Sequence, residues 1–369
     1  MDAGIVGWSN PSGNVGFVEY PWIDRNGDMF AQGDEVVFTQ NPLSFGGGFN
    51  PAEPTAVRSS NVLDPEMKAP ITTSAIVGFE RELRTNLSLR VNYTYTRNVD
   101  AVQLSGSADP IGQEFVPWVG VTSADYLPGT TVTGTLPDGT AFSVPTFIPD
   151  QAIISANSNQ RLLTNYSGFY VDYHGIEVSA VKRLSNKWMM RAGFAYNNPT
   201  EHFDGRPVNF LGNPTPTESS PLVEGGQNAP RSTGSGTGDV FVNGQWQVSV
   251  NGVYQLPWSM EVAGSVFGRQ GNPMPIFQSV ALGLDGSQRV MVTPTVDYFR
   301  YDDIWNTDIR FAKHVRSGRV NIEFNADLFN VFNSNVELNR QRNITNPAFG
   351  QLTQNLSPRI LRFGMRLGF

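Results

Sequence analysis

From about residue 70 to the end, segments that alternate apolar and polar residues come in pairs. A few residues join the members of a pair, and long stretches separate one pair from the next. Alternation with a period of two marks a β-strand with two different faces. The spacing predicts nine strands: 71–82 and 87–97, 173–184 and 187–197, 244–256 and 259–269, 303–315 and 319–332, and 359 to the end. The turns within pairs are Leu83-Arg84-Thr85-Asn86, Ser185-Asn186, Leu256-Pro257-Trp258 and Arg316-Ser317-Gly318. Between pairs lie 98–172, 198–243, 270–302 and 333–358, all rich in Gly, Pro, Asn, Ser and Thr. Compact soluble domains seldom hold structureless connections beyond ~15 residues. Transmembrane barrels combine short turns at one rim with long loops at the other. The chain is therefore expected to form an antiparallel, all-β transmembrane barrel portion with long extracellular loops. With the short turns in the periplasm, the ninth strand descends and the carboxy terminus is periplasmic.

The strands have two-faced chemistry. In the last one Leu361, Phe363, Met365, Leu367 and Phe369 oppose Arg362, Gly364, Arg366 and Gly368. In the eighth, Val320, Ile322, Phe324, Ala326 and Leu328 oppose Asn321, Glu323, Asn325 and Asp327. The charges Arg90, Glu177, Arg191, Glu261, Arg310, Glu323, Asp327 and Arg362 are expected on a hydrated, lumen-facing side. A soluble sandwich alternates too, but its apolar face meets a second sheet. Ring placement favours the membrane. Trp188, Trp258 and Phe369 fall beside short turns or the last residue; Tyr95, Tyr196, Trp246, Trp305 and Phe332 fall beside long connections. Such rows match two membrane interfaces, although Phe324 sits mid-strand.

Composition narrows the alternatives. No run of ~18 apolar residues exists, which excludes a transmembrane helix but not a barrel, whose strands alternate. With no cysteine there is neither a disulfide framework nor a thiolate metal site. The net charge of -7 argues against nucleic acid as a partner, because phosphate binding needs a basic stripe. Met1-Asp2-Ala3-Gly4-Ile5 has no basic n-region and no apolar h-region. Nine strands are an odd number, whereas bacterial single-chain barrels have even counts. Both features lead to the expectation that the chain is part of a longer polypeptide.

The stretch Asp64-Pro65-Glu66-Met67-Lys68-Ala69-Pro70, running into Val77-Gly78-Phe79-Glu80-Arg81-Glu82-Leu83, resembles the barrel of Oar-like TonB-dependent receptors. Three further pieces are similar to recurring strands of that group: Tyr173-His174-Gly175-Ile176-Glu177-Val178 with Lys182-Arg183-Leu184, then Leu328-Phe329-Asn330-Val331-Phe332-Asn333, then Phe363-Gly364-Met365-Arg366-Leu367-Gly368-Phe369. They occur in the family's order and span about residues 20–369. The resemblance implies the carboxy-terminal part of a barrel of about 22 strands, filled by a plug domain that couples through TonB to inner-membrane energy. The plug and the first barrel strands would lie outside this chain. It implies uptake of a scarce, unnamed solute across the outer membrane of a Gram-negative bacterium. Lipid and the barrel-assembly machinery would be partners, and TonB only through the plug. A passive porin or structural outer-membrane protein is the first rival, and a secreted β-rich adhesin or carbohydrate-binding module the second.

Two segments are candidate sites. On the last strand Phe363, Met365, Leu367 and Phe369 resemble the signal read by the barrel-assembly machinery. Within an extracellular loop region over 1–69, residues 24–35 read Asp-Arg-Asn-Gly-Asp-Met-Phe-Ala-Gln-Gly-Asp-Glu. Asp24, Asn26, Asp28 and Glu35 supply oxygens at positions one, three, five and twelve of a calcium loop, but Met29 stands where the pattern has Gly. No other cofactor is expected. Catalysis has no support: His174, His202 and His314 lie on separate segments, and no nucleophile elbow occurs. His202 has Glu201 and Asp204 beside it in a polar stretch, which reads as a solvated loop. The run Arg231 to Gly238 is low-complexity loop, with no lysine or helix following it to make a phosphate cradle. Leu136-Pro137-Asp138-Gly139-Thr140 reads as a turn between two short strands.

Overall fold

The structure is a computed structural model and describes residues 17–46, 61–103, 120–156, 161–166, 168–208, 212–232, 238–283 and 286–369. The amino-terminal pentapeptide and residues 233–237 of the low-complexity run lie outside the described residues. Nine long strands dominate: β1 (Ile71–Arg84), β2 (Leu87–Val99), β3 (Tyr170–Ser185), β4 (Trp188–His202), β5 (Trp246–Leu256), β6 (Met260–Arg269), β7 (Ile304–Ser317), β8 (Val320–Phe329) and β9 (Ile360–Gly368). Each pairs antiparallel with its neighbours in sequence, so the sheet is a nine-stranded meander. All nine expected strands are present, with ends moved by a few residues. β8 stops at Phe329, short of the expected 332. Asn330 takes a left-handed φ of 49°, and its side-chain amide donates to the Ser334 and Ser357 carbonyls. β3 starts early, at Tyr170, where Arg97 and Asp172 pair across β2 and β3 at 2.7 Å.

The short turns have the backbone their sequences require. Asn186 and Lys187 both take positive φ, 53° and 69°, a primed two-residue turn that matches the twist of the flanking strands. Asn321 on β8 faces Gly368 on β9, which puts the last residue at the same rim as the four short turns.

The sheet is a single layer with one continuous apolar face. A row of direct partners runs Trp188–Tyr254–Val262–Phe311–Ala326–Phe363 across six strands. Among the described residues nothing packs over it: Phe311, Phe324 and Phe363 are 51%, 47% and 76% exposed. A two-sheet sandwich would bury these mid-strand rings, so that architecture is not formed. The eight charges expected on the hydrated side all occupy the opposite face, by register. Near the long connections Tyr196 pairs with Trp246, and the Trp246 and Trp305 rings lie 5.7 Å apart. Asn197–His202 of β4 extend past this row of rings, farther than the sequence predicts. Among the described residues β1 and β9 each keep an unpaired edge.

The long connections differ from expectation, because they fold. Val132–Thr135 pairs with Ala141–Val144 around the expected turn, Phe277–Ala281 with Ser287–Met291, and Glu337–Arg340 with Leu352–Asn355. Of the buried hydrophobic residues described, only Ile304 and Ala312 belong to the nine strands. The others lie in the connections. One cluster joins Val132, Leu136 and Phe142 to Ile276 and Val292. A second joins Phe241 to Phe277, Met291 and Val296. The connections thus form a cap with a dry core at one end of the sheet.

Candidate functional site

The polar face carries a paired charge cluster. Asp327 on β8 is buried between arginines from both neighbouring strands. Arg310 Nε donates to Oδ1 at 2.5 Å, and Arg362 Nη2 donates to Oδ2 at 2.7 Å. Direct cross-strand pairing places all three side chains on one face. Beside them the face is hollowed into a concavity of about 960 Å³ lined by residues of β3 to β9. Its lining between the arginines includes the compact side chains of Ala263 and Ser265.

The cap holds a second charged cluster, which sequence reading missed. Glu218 comes from the connection after β4, Arg289 from that after β6 and Arg342 from that after β8. Arg289 forms an ion pair with Glu218 Oε2, and Arg342 Nη2 lies 3.7 Å from Oε1. Arg342 is itself buried, donates to the Asp239 carbonyl at 2.6 Å, and sits 5.2 and 5.4 Å from the centroids of Phe241 and Phe277. Burial pushes the Glu218 carboxyl up against the pull of Arg231 and Arg289, and burial lowers Arg342. One carboxylate therefore ties three connections together.

The His202 segment also departs from the solvated loop expected of it. Glu201 is buried and accepts from Val223 N at 2.9 Å and from Asn228 Nδ2 at 3.4 Å. Next to it, His202 Nδ1 and Phe203 N meet the two oxygens of Glu224 at 2.9 and 2.7 Å. The strand end and segment 223–228 clasp each other through two carboxylates. In this extension beyond the ring row, burial pushes the Glu201 carboxyl up to about 8.

The calcium-type segment folds as a tight loop. Asp24 accepts from Gly27 N and Met29 N, Asn26 from Asp28 N, Asp28 from Phe30 N, and buried Glu35 from Arg25 N. Met29 takes φ 61°, the conformation for which the pattern places Gly at that position. The Phe30 amide holds the Asp28 carboxyl below its ordinary value. Among the described residues no three His, Cys, Asp or Glu side chains converge as a metal-holding group. On β9, Phe363, Met365 and Leu367 share the apolar face, and Phe369, just past the strand, is 95% exposed.

No protein-family model matches the chain, and no curated protein does. Solved outer-membrane proteins are similar in structure. The outer membrane transporter YddB from Escherichia coli has a TM-score of 0.43 and 14% identity, covering 84% of this chain and 34% of its own. The FrpB iron transporter from Neisseria meningitidis scores 0.40 at 12% identity, with 83% and 32% covered. The siderophore receptor PirA from Acinetobacter baumannii scores 0.38 at 9% identity, with 82% and 32% covered. The chain spans about a third of the length of these structures.

Proposed function

We propose that this chain is the carboxy-terminal barrel portion of an Oar-like, TonB-dependent receptor that takes up a scarce solute across the outer membrane. One observation carries the reading: a single-layer meander whose exposed apolar face is covered by nothing among the described residues and whose other face is polar and hollowed. In water such an apolar face is unstable, and in lipid it is the required surface. The polar face then lines the lumen, the cap is extracellular, and the carboxy terminus lies in the periplasm. The unpaired edges of β1 and β9 pair with further strands of a longer polypeptide, because lipid satisfies no open edge. Phe363, Met365, Leu367 and Phe369 serve as the signal for the barrel-assembly machinery, and a plug domain outside this chain contacts TonB.

Neighbouring residues of β8 provide the test. In outer-membrane vesicles holding the full-length protein, Asn325→Cys should react with a membrane-impermeant maleimide, whereas Phe324→Cys should not. Equal labelling of both would refute a lipid-facing apolar side. A steady ion conductance of the full-length protein in planar bilayers would favour the porin reading over the receptor.

We also propose that Asp24, Asn26, Asp28 and Glu35 bind calcium within the extracellular region over 1–69. The ligand spacing and the left-handed Met29 backbone support it.

A further inference from the structure

The hollow on the polar face is amphiphilic. Its floor is apolar at directly paired positions: Met189, Val253 and Ala263 lie side by side on β4, β5 and β6. Met189 is 44% exposed there, an unusual place for a large apolar side chain on an otherwise hydrated face. Guanidinium groups stand on both sides. Ala263 pairs directly with Arg310, which with Arg362 shares the one carboxylate of Asp327. On the far side stands Arg191, whose cross-strand partners are Val181 and Asn251. Neither is charged, and the next residues along β4 on this face are Met189 and Gly193. The other acid of the hollow, Asp308, is turned to the Asn306 amide and the Asn330 backbone N–H. Four arginines of the hollow, Arg183, Arg191, Arg310 and Arg362, thus outnumber its two carboxylates, Asp308 and Asp327, both already engaged, around an apolar floor. Arg191 on β4 and Arg310 on β7 are three strand spacings apart, roughly 14 Å between backbones, which leaves room for a fused-ring body.

We propose that this hollow binds an organic anion with a flat apolar body, the body resting on Met189, Val253 and Ala263. Its anionic group would pair with Arg191, because Arg310 and Arg362 already hold the Asp327 carboxylate. Guanidinium suits carboxylate, sulfonate and phosphate oxygens alike, through paired N–H donors. The inference rests on the polar face being the lumen and names the class of solute that the lumen accepts.

Naphthalene-2-sulfonate is the probe, measured by equilibrium dialysis against vesicles holding the full-length protein. Inorganic sulfate and 2-naphthol carry its charge and its apolar body separately. Saturable binding of the sulfonate is expected, at least tenfold tighter than either control. Arg191→Gln should weaken it about tenfold, as expected for the loss of one charge-assisted contact. Val253→Asp should abolish it, and Arg316→Gln, on the same face outside the hollow, should leave it unchanged. A Ser265→Cys variant, labelled with the impermeant maleimide, reports separately on the lumen. Labelling without sulfonate binding, or binding indifferent to Arg191→Gln, overturns the organic-anion site alone. Absence of labelling overturns the lumen assignment and the site with it. If binding appears only after an upstream segment of the same polypeptide is removed, the occupant is that segment and the solute proposal fails.

Discussion

Trp305 on β7 covers Gly268, its direct partner on β6: a Cβ built on the glycine would lie 2.6 Å from the indole. Gly268 is the gap in a row that runs Phe79–Val91–Val178–Phe194–Val248 across the apolar face. The indole fills that gap and meets Trp246. Gly268→Val should expel the ring at a cost of about 1–3 kcal/mol, the usual range for overpacking. A lower unfolding midpoint in detergent and a shifted tryptophan emission would register it.

Arg342→Ala should loosen three connections at once. It removes the guanidinium held between Phe241 and Phe277 and its bond to the Asp239 carbonyl, while Glu218 keeps Arg289 and Arg231. Losing a buried, charge-assisted hydrogen bond in this way costs about 1.5–3 kcal/mol. Glu218→Gln keeps the shape and should cost less, since burial already disfavours the Glu218 charge. Hydrogen exchange should accelerate together in 212–232, 286–292 and 337–344 for Arg342→Ala. Acceleration confined to the last of these would sink the idea of one cap.

The clasp at Glu201 should respond to pH in the alkaline direction. Its folded-state value, about 8, lies above the ordinary 4.5. The group's contribution is therefore complete below the ordinary value and is lost as pH rises through about 8. His202 and Glu224 face the same clasp, and Glu224 adds to the upward shift. Limited proteolysis within 222–228 should be slow at pH 6 and faster at pH 9. Glu201→Gln cannot ionise and should flatten that dependence.

Calcium should bind the Asp24–Glu35 loop with a measurable heat, and Asp24→Ala should remove it. Titration of the intact protein with millimolar calcium that releases no heat would dispose of the site.

The strands were legible because a membrane sheet writes both of its environments into every second residue. Phe363 and Arg362, one position apart, sort to opposite faces as the alternation requires. The cap was not legible for the converse reason. Phe241, Phe277 and Val296 are isolated apolar residues in Gly- and Pro-rich stretches with no period, and they become a core only when two connections meet. Glu218 and Arg342 carry no motif, and Glu201 beside His202 looked solvated until segment 223–228 covered it. The hollow was half visible: Arg191, Arg310 and Arg362 were expected on the hydrated side, but the apolar floor between them depends on strand register.

Two solvents are written into one polypeptide. The cap can collapse in water by burying Phe241, Phe277 and Met291, as any small soluble unit does. On the proposed barrel reading the meander gains nothing from water and needs hydrocarbon before its rows of rings are at rest. On that same reading, a nascent chain kept from the bilayer would hold its cap half-formed while β1–β9 remained exposed and prone to stick together. Such a chain must be escorted until the membrane receives it.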